Sequence, residues 1–225
     1  MVSLAQTAAG RAKRVRLIIF DVDGVLTDGG IYIGTEGELF KAFHCRDGMG
    51  ITLARKAGLK TAIITGRTSA QVAHRAGELH IDAVHQGCMD KRAAYRELKE
   101  QFDVTDAEVA YVGDDLIDLP TMLQCGFPAA VADASEEVRE AAAYVARFPG
   151  GHGAVRDVIE YILKAQGRWQ ETIASFYDVT GEAATKPTNG LALRLEASMR
   201  FYKATTRWIV PGELSLGVSF FLPEL

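Results

Sequence analysis

The chain has 225 residues, of which 48% are hydrophobic, enough for one substantial core and a short appendage. Its net charge of −4 and its lack of Lys and Arg runs argue against nucleic-acid binding. No stretch reaches the roughly 18 apolar residues of a membrane-spanning helix, and three scattered cysteines without a CxxC pair favour a protein of the reducing cytoplasm.

Short apolar runs alternate with helical patterns along residues 15–170. The runs carry the β-branched and aromatic side chains that buried parallel strands favour. The predicted strands are 15–20, 59–65, 81–86, 108–113, 129–132 and 143–146. The predicted helices are 47–58, 68–79, 90–101, 115–125, 135–142 and 153–166, with N-cap signals at Asp90 and Ser135. This alternation predicts an α/β fold with a doubly wound parallel sheet.

Residues 31–43 interrupt the alternation of strands and helices. Their apolar and polar residues alternate around a Gly-containing turn, which predicts a β-hairpin inserted after the first strand and too short to be a cap domain. We expect residues 1–14 to be an N-terminal extension and 15–170 to be one domain. Residues 171–225 form a tail that is apolar but aperiodic, and its pattern does not decide between helix and strand.

Polar residues follow four of the predicted strands at their carboxyl ends, which is where open α/β sheets bind ligands. Because these ends meet at one edge of the sheet, we expect a single crevice to collect their side chains. The expected set is Asp21 and Asp23 after the first strand, Thr65 after the second, Lys91 after the third, and Asp114 and Asp115 after the fourth.

Asp21 and Asp23 point the same way, because residues i and i+2 at a strand end share a face. Two carboxylates about 4 Å apart repel by about 4 kcal/mol at an effective dielectric near 20. A divalent cation removes this penalty, and oxygen-only ligands favour Mg²⁺. We expect the side chains of Asp21 and Asp114 and the backbone carbonyl of Asp23 to bind it.

This set of residues is suited to phosphoryl transfer through the protein. Asp21 would attack phosphorus as the nucleophile, and Asp23 would serve as general acid and then as general base. The Thr65 hydroxyl and the Lys91 ammonium would bind the phosphoryl oxygens. Two glycines, Gly24 and Gly66, would let backbone N–H groups approach the phosphate.

The motifs DVDGVLTDG, IITGR, Lys91 and GDDLIDLP resemble the four motifs of the haloacid dehalogenase superfamily of phosphatases. Longer segments, such as KAFHCRDGMGI, QGCMDK and GGHGAVRDVIEYILKAQG, are similar to its capless branch, the 3-deoxy-D-manno-octulosonate 8-phosphate phosphatases. The resemblance covers roughly residues 15–170. It implies hydrolysis of a phosphorylated eight-carbon sugar acid in lipopolysaccharide biosynthesis, with Mg²⁺. It also implies a homotetramer whose hairpins pack together and help to cover neighbouring sites.

The same resemblance implies a set of substrate-binding residues. Arginine forks suit the phosphate and the carboxylate of such a substrate, at Arg46, Arg67 and Arg75. The remaining implied pocket residues are Asp23, His44, Asp47, Gly48, Gly66, Lys91 and Asp115. Asp28 and Asp118 are either capping residues or supports for the site. The resemblance ends near Trp169, so it leaves open whether the tail reaches a neighbouring site.

Several alternatives stay open at this stage. A related phosphatase of a nine-carbon sugar acid phosphate would share every motif, and a phosphomutase is disfavoured because the hairpin is too short to act as a cap. A signalling receiver domain also uses an aspartyl-phosphate with Thr and Lys, but it lacks an acid at the position of Asp23. A non-catalytic scaffold is disfavoured by the intact set of motifs.

Overall fold

Six parallel strands form the central sheet of the computed structural model, which describes residues 7–177. Their spatial order is β5 (Ala83–His85), β4 (Lys60–Ile64), β1 (Leu17–Phe20), β6 (Val109–Gly113), β7 (Phe127–Ala130) and β8 (Tyr144–Val145). Every residue of β1, β6 and β7 is buried, which explains why these segments read as continuous apolar runs. The predicted doubly wound parallel sheet is confirmed.

Eight α-helices are found in the described residues. They are α1 (Ala8–Ala12), α2 (Cys45–Lys56), α3 (Ala70–Glu78), α4 (Lys91–Phe102), α5 (Leu119–Met122), α6 (Glu136–Ala141), α7 (Ala154–Ala165) and α8 (Trp169–Ala174). Helices α1, α2 and α8 all contact α7, whereas α4 and α6 both contact α5. The sheet is thus flanked by helices. Among residues 7–177, no helix is both long enough and apolar enough to cross a membrane.

The interruption after β1 is a hairpin of β2 (Tyr32–Gly34) and β3 (Gly37–Phe40), as the alternating pattern predicts. The strands are antiparallel, and the rings of Tyr32 and Phe40 stack with their centroids 4.3 Å apart. Nothing larger is inserted between β1 and α2 in the described chain. Residues 7–177 therefore contain no cap domain over the carboxyl ends of the strands.

Three local features differ from the predicted elements. The helix predicted at 115–125 is a 3-10 turn, Leu116–Asp118, followed by the short α5. The Asp118 carboxylate accepts a hydrogen bond from the backbone N–H of Asp114 and so holds a turn instead of a regular helix. Strand β7 begins at Phe127, before the predicted 129, although Pro128 inside it argues against a strand. Ser135 precedes α6, but its side chain makes no capping hydrogen bond.

The described elements belong to one unit that ends at Ala174. Helix α1 lies in the segment that we expected to be an extension, yet Ala12 is buried and Gln166 Nε2 donates to its carbonyl oxygen at 3.2 Å. Gln166 also donates to the carbonyl of Val15 at 2.8 Å, which ties the start of the chain to the end of α7. The expectations for the tail beyond Tyr177 lie outside the described residues.

Candidate active site

The site lies where the chain changes direction across the sheet. After β1 the chain continues through β4 and β5 on one side, and then through β6, β7 and β8 on the other, so β1 and β6 meet at the topological switch point. The N–H of Asp21 donates to the Val112 carbonyl at 3.0 Å. This hydrogen bond extends the pairing of β1 with β6 by one residue beyond the end of β1. Asp21 and Asp114 therefore leave adjacent strand ends.

A buried lysine joins the carboxylates at these strand ends. Lys91 Nζ lies 2.9 Å from Asp21 Oδ1 and 2.7 Å from Asp118 Oδ1, and the Lys91 side chain is almost fully buried. The contact with Asp21 is an ion pair whose angles are poor for a hydrogen bond, whereas the contact with Asp118 is a hydrogen bond. A buried ammonium is tolerated only when it is paired in this way.

Asp118 is fully engaged by protein donors, which defines its role. Its Oδ1 accepts from the Tyr111 hydroxyl at 2.7 Å as well as from Lys91, and its Oδ2 accepts from the backbone N–H of Asp114 at 3.0 Å. These contacts fix the Lys91 ammonium and the turn that carries Asp114. We infer that Asp118 supports the site through these bonds, which is one of the two roles, support or capping, that the sequence leaves open.

The residues present fit a bound divalent cation. One carboxylate oxygen from each of Asp21, Asp114 and Asp118 lies within 4.8 Å of the other two. Asp114 Oδ1 is buried and has no hydrogen-bond partner, which is costly unless another ligand compensates it. Burial, with the charges of Asp21 and Asp118, raises the pKa of Asp114 to about 8. Burial, with the charge of Asp118, raises the pKa of Asp21 to about 6.

Asp23 is not part of this cluster, and its carboxylate contacts the hairpin. Its Oδ1 is paired with Lys41 Nζ, and Lys41 Nζ also lies 3.0 Å from Glu38 Oε1. Arg67 Nη2 lies 3.6 Å from the same Glu38 oxygen, and Ser69 donates its hydroxyl hydrogen to the other Glu38 oxygen. The sequence placed Asp23 and Arg67 at the site, but it did not indicate Glu38 or Lys41.

Thr65 and its neighbours form the floor of the site next to β1. Thr65 is buried, its N–H donates to the His85 carbonyl at 2.9 Å, and its carbonyl accepts from the Cys88 N–H at 3.0 Å. Gly66 and Arg67 follow it, and Arg67 is exposed.

Gly24 takes a positive φ of 86° and packs directly against the Asp114 side chain. Its N–H lies 3.4 Å from Thr27 Oγ1, so the expected phosphate contact of this N–H has a competing acceptor.

Asp47 is placed differently from what the resemblance implies. The residue is buried in α2, and its carboxylate accepts hydrogen bonds from the N–H groups of Gly153 and Arg156 at 3.0 and 2.8 Å. It thus caps the start of α7, where exposed N–H groups and the helix dipole favour a carboxylate. Asp47 thus has a capping role that the resemblance does not imply, and its substrate-binding role stays a prediction. Burial raises the pKa of Asp47 despite these bonds.

The other implied pocket residues are only partly brought together. Arg75 Nη1 pairs with Glu78 Oε2 at 3.0 Å, and its guanidinium packs against Gly48, so both residues are engaged within the α2–α3 contact. His44 Nδ1 lies 3.8 Å from Asp47 Oδ2. Arg46 is exposed at the start of α2.

Two further aspartates near the site hold turns. Asp115 is exposed and accepts from the Leu116 N–H at 2.8 Å, at the start of the 3-10 turn. Asp28 accepts from the Gly30 N–H at 2.9 Å. Each of these hydrogen bonds engages one carboxylate oxygen of the aspartate. The partner of Asp28 is only two residues away in the sequence.

Comparison with known proteins places the chain in a family. Residues 75–159 match the family model of haloacid dehalogenase-like hydrolases. The 3-deoxy-D-manno-octulosonate 8-phosphate phosphatase of Escherichia coli strain K12 is 47% identical over 161 residues, which are 72% of this chain and 86% of that protein. The enzyme of the same name from Yersinia pestis is 47% identical over 73% of this chain and 88% of its own length.

Solved structures agree with this assignment. The crystal structure of 3-deoxy-D-manno-octulosonate 8-phosphate phosphatase from Moraxella catarrhalis, in complex with magnesium, phosphate and KDO, has a TM-score of 0.73 at 41% identity, covering 75% of this chain and 97% of that one. The cobalt-bound phosphatase from Haemophilus influenzae has a TM-score of 0.70 at 39% identity, covering 71% and 94% of the two chains. The protein described here is a member of the 3-deoxy-D-manno-octulosonate 8-phosphate phosphatase family, within the haloacid dehalogenase-like hydrolases.

Proposed function

We propose that the chain hydrolyses 3-deoxy-D-manno-octulosonate 8-phosphate to the free sugar acid and inorganic phosphate, in lipopolysaccharide biosynthesis. The observation that carries this proposal is the buried cluster at the switch point, in which Lys91 pairs with Asp21 and Asp118 while Asp114 keeps an unpaired oxygen. Relatives of 47% identity that bear the name of this activity support the choice of substrate.

In the first half of the proposed reaction, a carboxylate oxygen of Asp21 attacks the phosphorus of the substrate. The bond between phosphorus and the sugar oxygen breaks, and a new bond joins phosphorus to Asp21. Asp23 gives a proton to the departing sugar oxygen, so that an alcohol leaves instead of an alkoxide. Lys91 Nζ, 2.9 Å from Asp21 Oδ1, is close enough to bind a phosphoryl oxygen as negative charge develops there.

In the second half, water attacks the phosphorus of the aspartyl-phosphate. Asp23, now ionised, takes the proton of the attacking water, and the bond between phosphorus and Asp21 breaks. Inorganic phosphate leaves, and both aspartates return to their starting protonation states. Thr65 and the N–H groups after it are proposed to hold the phosphoryl oxygens in both halves, because they lie at the end of β4 beside β1.

We propose Mg²⁺ as the cofactor, held by Asp21, Asp114 and the backbone carbonyl of Asp23. The unpaired buried oxygen of Asp114 and the all-oxygen donor set support this choice. The related Moraxella catarrhalis enzyme was crystallised with magnesium and phosphate. When bound, the cation neutralises negative charge between the nucleophile and the phosphate and so supports their approach.

For the sugar acid itself we propose Arg46, Arg67 and His44 as contacts, with Gly66 and Asp115 at the edge of the site. Arg46 and Arg67 are exposed, so their guanidinium groups are available to a carboxylate. Asp47, Gly48 and Arg75 are kept as further expected contacts, because they line one cavity together with His44. A nine-carbon sugar acid 9-phosphate is the alternative substrate, since it carries the same two anionic groups.

A phosphate-release assay tests the proposal directly. The wild-type chain should hydrolyse 3-deoxy-D-manno-octulosonate 8-phosphate faster than the nine-carbon analogue, and chelation of the metal should stop both reactions. Asp21→Asn should lower kcat by roughly 10⁴-fold or more, because it removes the nucleophile. Asp82→Asn, at a residue paired with Lys60, is the matched control and should keep wild-type turnover.

Three results would count against the proposal. A higher kcat/KM for the nine-carbon sugar acid phosphate would make that compound the preferred substrate, and the reaction mechanism would stay the same. Phosphate release that persists at the wild-type rate in folded Asp21→Asn would remove Asp21 as nucleophile. A chain that releases no phosphate from any sugar phosphate in Mg²⁺ would favour the non-catalytic scaffold.

We also propose a cytoplasmic homotetramer. The hairpin exposes large apolar side chains, with Ile33 69% and Leu39 62% exposed, and such a patch is typical of an interaction surface. Packing of hairpins between subunits would bury it and would cover a site that has no cap domain. The three cysteines of the chain are all free, which supports a reducing compartment.

A further inference from the structure

Lys41 is a lysine that the reaction scheme does not use, yet its side chain is 1% exposed. A lysine is rarely buried to this extent unless it is paired. Its ammonium lies between two carboxylates, Asp23 Oδ1 and Glu38 Oε1, the latter at 3.0 Å. Lys41 follows β3 of the hairpin directly, whereas Asp23 follows β1, so this contact joins the inserted hairpin to the catalytic loop of the same chain.

Glu38 holds this arrangement from the other side. It accepts the hydroxyl hydrogen of Ser69, and its Oε1 lies 3.6 Å from Arg67 Nη2. When Asp23 is ionised, as it must be to accept a proton from water, the four side chains comprise two cations and two anions, so their charges sum to zero. Two elements, the hairpin and the loop after β4, thereby fix the position of one carboxylate, that of Asp23.

The two oxygens of Asp23 differ in their contacts. Oδ1 is engaged by Lys41, whereas Oδ2 lies 3.9 Å from Arg67 Nε, which is beyond hydrogen-bond distance. An acid–base catalyst must present one oxygen to the substrate while the carboxyl group keeps a single orientation. The ion pair to Oδ1 meets this need, because it leaves Oδ2 to exchange the proton.

We propose that Lys41, held in place by Glu38, is a positioning residue for the general acid–base Asp23. The proposal rests on the phosphatase function above. It gives the hairpin a role inside its own subunit, in addition to any contact between subunits. Lys41 acts through Asp23, so its loss should slow the proton-transfer steps and leave substrate binding and the metal site almost unchanged.

The test compares Lys41→Met, which keeps length and removes charge, with Lys41→Arg and with Lys99→Met. Lys99 pairs with Asp106 at 2.6 Å and is also mostly buried, so it controls for the loss of a lysine–aspartate pair outside the site. Lys41→Met should lower kcat by about 10- to 100-fold, the effect expected of a misplaced catalytic group, with KM changed less than about threefold. Lys41→Arg should recover part of the loss, and Lys99→Met should keep wild-type kcat.

Two further experiments, a change of leaving group and a double mutant, distinguish the positioning of Asp23 from a general structural effect of the substitution. Lys41→Met should slow single-turnover cleavage of an alkyl phosphate much more than that of p-nitrophenyl phosphate, because p-nitrophenolate departs without a proton. In an Asp23→Asn background, the further change Lys41→Met should cost less than about twofold in kcat, since the two residues act as a unit.

Specific outcomes would overturn the inference. Wild-type kcat in folded Lys41→Met, a raised KM with unchanged kcat, or a full second loss in the Asp23→Asn background would each reject it. If Lys41→Met does not fold, Glu38→Gln is used instead and should lower kcat in the same way. This variant keeps Lys41 but weakens the ion pair that holds it. If the wild-type chain fails on the sugar acid phosphate but cleaves other alkyl phosphates, the proposed substrate fails and the Lys41 test still stands.

Discussion

A Cβ atom added to Gly24 would lie 2.0 Å from Asp114 Oδ2 and 2.6 Å from its Cγ. Gly24 is the last residue of the DVDG sequence after β1, and Asp114 follows β6. The glycine thus leaves the space that the Asp114 carboxylate fills. Its φ of 86° adds a second reason for glycine, since other residues are strained in that region.

Gly24→Ala should therefore damage the metal site more than the fold. The positive φ should cost about 1–2 kcal/mol in the free energy of unfolding. The displaced carboxylate should weaken Mg²⁺ binding and kcat by about 10- to 100-fold, as loss of an orienting neighbour does at metal sites. Gly167→Ala is the control, because Gly167 has φ 71° and open space around its Cβ position. Equal Mg²⁺ affinity in the two variants, measured by calorimetry, would contradict this explanation.

Asp118→Asn should disrupt the site through Lys91. The substitution leaves the Lys91 ammonium with one buried anionic partner, Asp21, and weakens the acceptor for the Asp114 N–H. We expect a stability loss of about 3–5 kcal/mol, typical of a broken buried pair, and a large fall in kcat. Tyr111→Phe removes one hydrogen bond to the same carboxylate and should cost about 1 kcal/mol. Urea unfolding and kcat measured on both variants check this, and equal effects would contradict the assigned role of Asp118.

Magnesium binding near pH 7 should release protons. Burial, with the charges of Asp21 and Asp118, raises the pKa of Asp114 to about 8 in the metal-free chain, so at pH 7 this group is mostly protonated. A metal ligand must be ionised, so binding should release up to about one proton at pH 7 and fewer as the pH rises above 8. Calorimetry in buffers of different ionisation enthalpy measures this number. Proton release that does not fall between pH 7 and 9 would contradict the prediction.

The sequence predicted the sheet and the aspartate cluster because both follow from local patterns. Apolar runs such as residues 15–20 become buried parallel strands, and the residue after each strand end is placed by the sheet alone. Asp21 and Asp114 therefore meet as expected. Lys91 reaches Asp21 from the first turn of α4.

The residues that sequence reasoning missed or misplaced depend on contacts between distant segments. Asp47 caps a helix that begins more than a hundred residues later, with a separation of 106 residues to Gly153. Lys41 was not singled out in the sequence, since the alternation of a hairpin does not reveal a buried carboxylate partner. A sequence signal for Lys41 would have been a lysine that interrupts an apolar stretch close to the catalytic motif.

Asp157 should make stability depend on acid pH. Burial alone would raise its pKa, but hydrogen bonds from the side chain and N–H of Arg147 and from the Tyr144 hydroxyl outweigh burial and hold the pKa below its ordinary value. A lowered folded pKa contributes stability above the unfolded pKa of about 3.9, and this contribution is lost as pH falls through the folded value. Asp157→Asn should thus lower the free energy of unfolding by about 1.5–3 kcal/mol at pH 7, and this difference should shrink as the pH falls below about 3.9 toward the folded pKa. A difference from wild type that stays constant between pH 7 and pH 3 in urea titrations would contradict it.

The exposed hairpin should control the assembly state. Ile33 is 69% exposed on β2, beside Leu39 and Phe40, so a charge there would be buried without a partner if hairpins pack together. Ile33→Glu should dissociate the proposed tetramer into smaller species, which light scattering would detect. Leu123→Glu, at a residue 72% exposed outside the hairpin, should keep the wild-type mass. The hairpin also carries Lys41, so the turnover of the smaller species tests whether the site needs a neighbouring subunit. If kcat is unchanged while KM rises, the neighbour contributes to substrate binding. Asp23 is then still positioned by residues of its own chain. An unchanged mass for Ile33→Glu would place the subunit contact elsewhere.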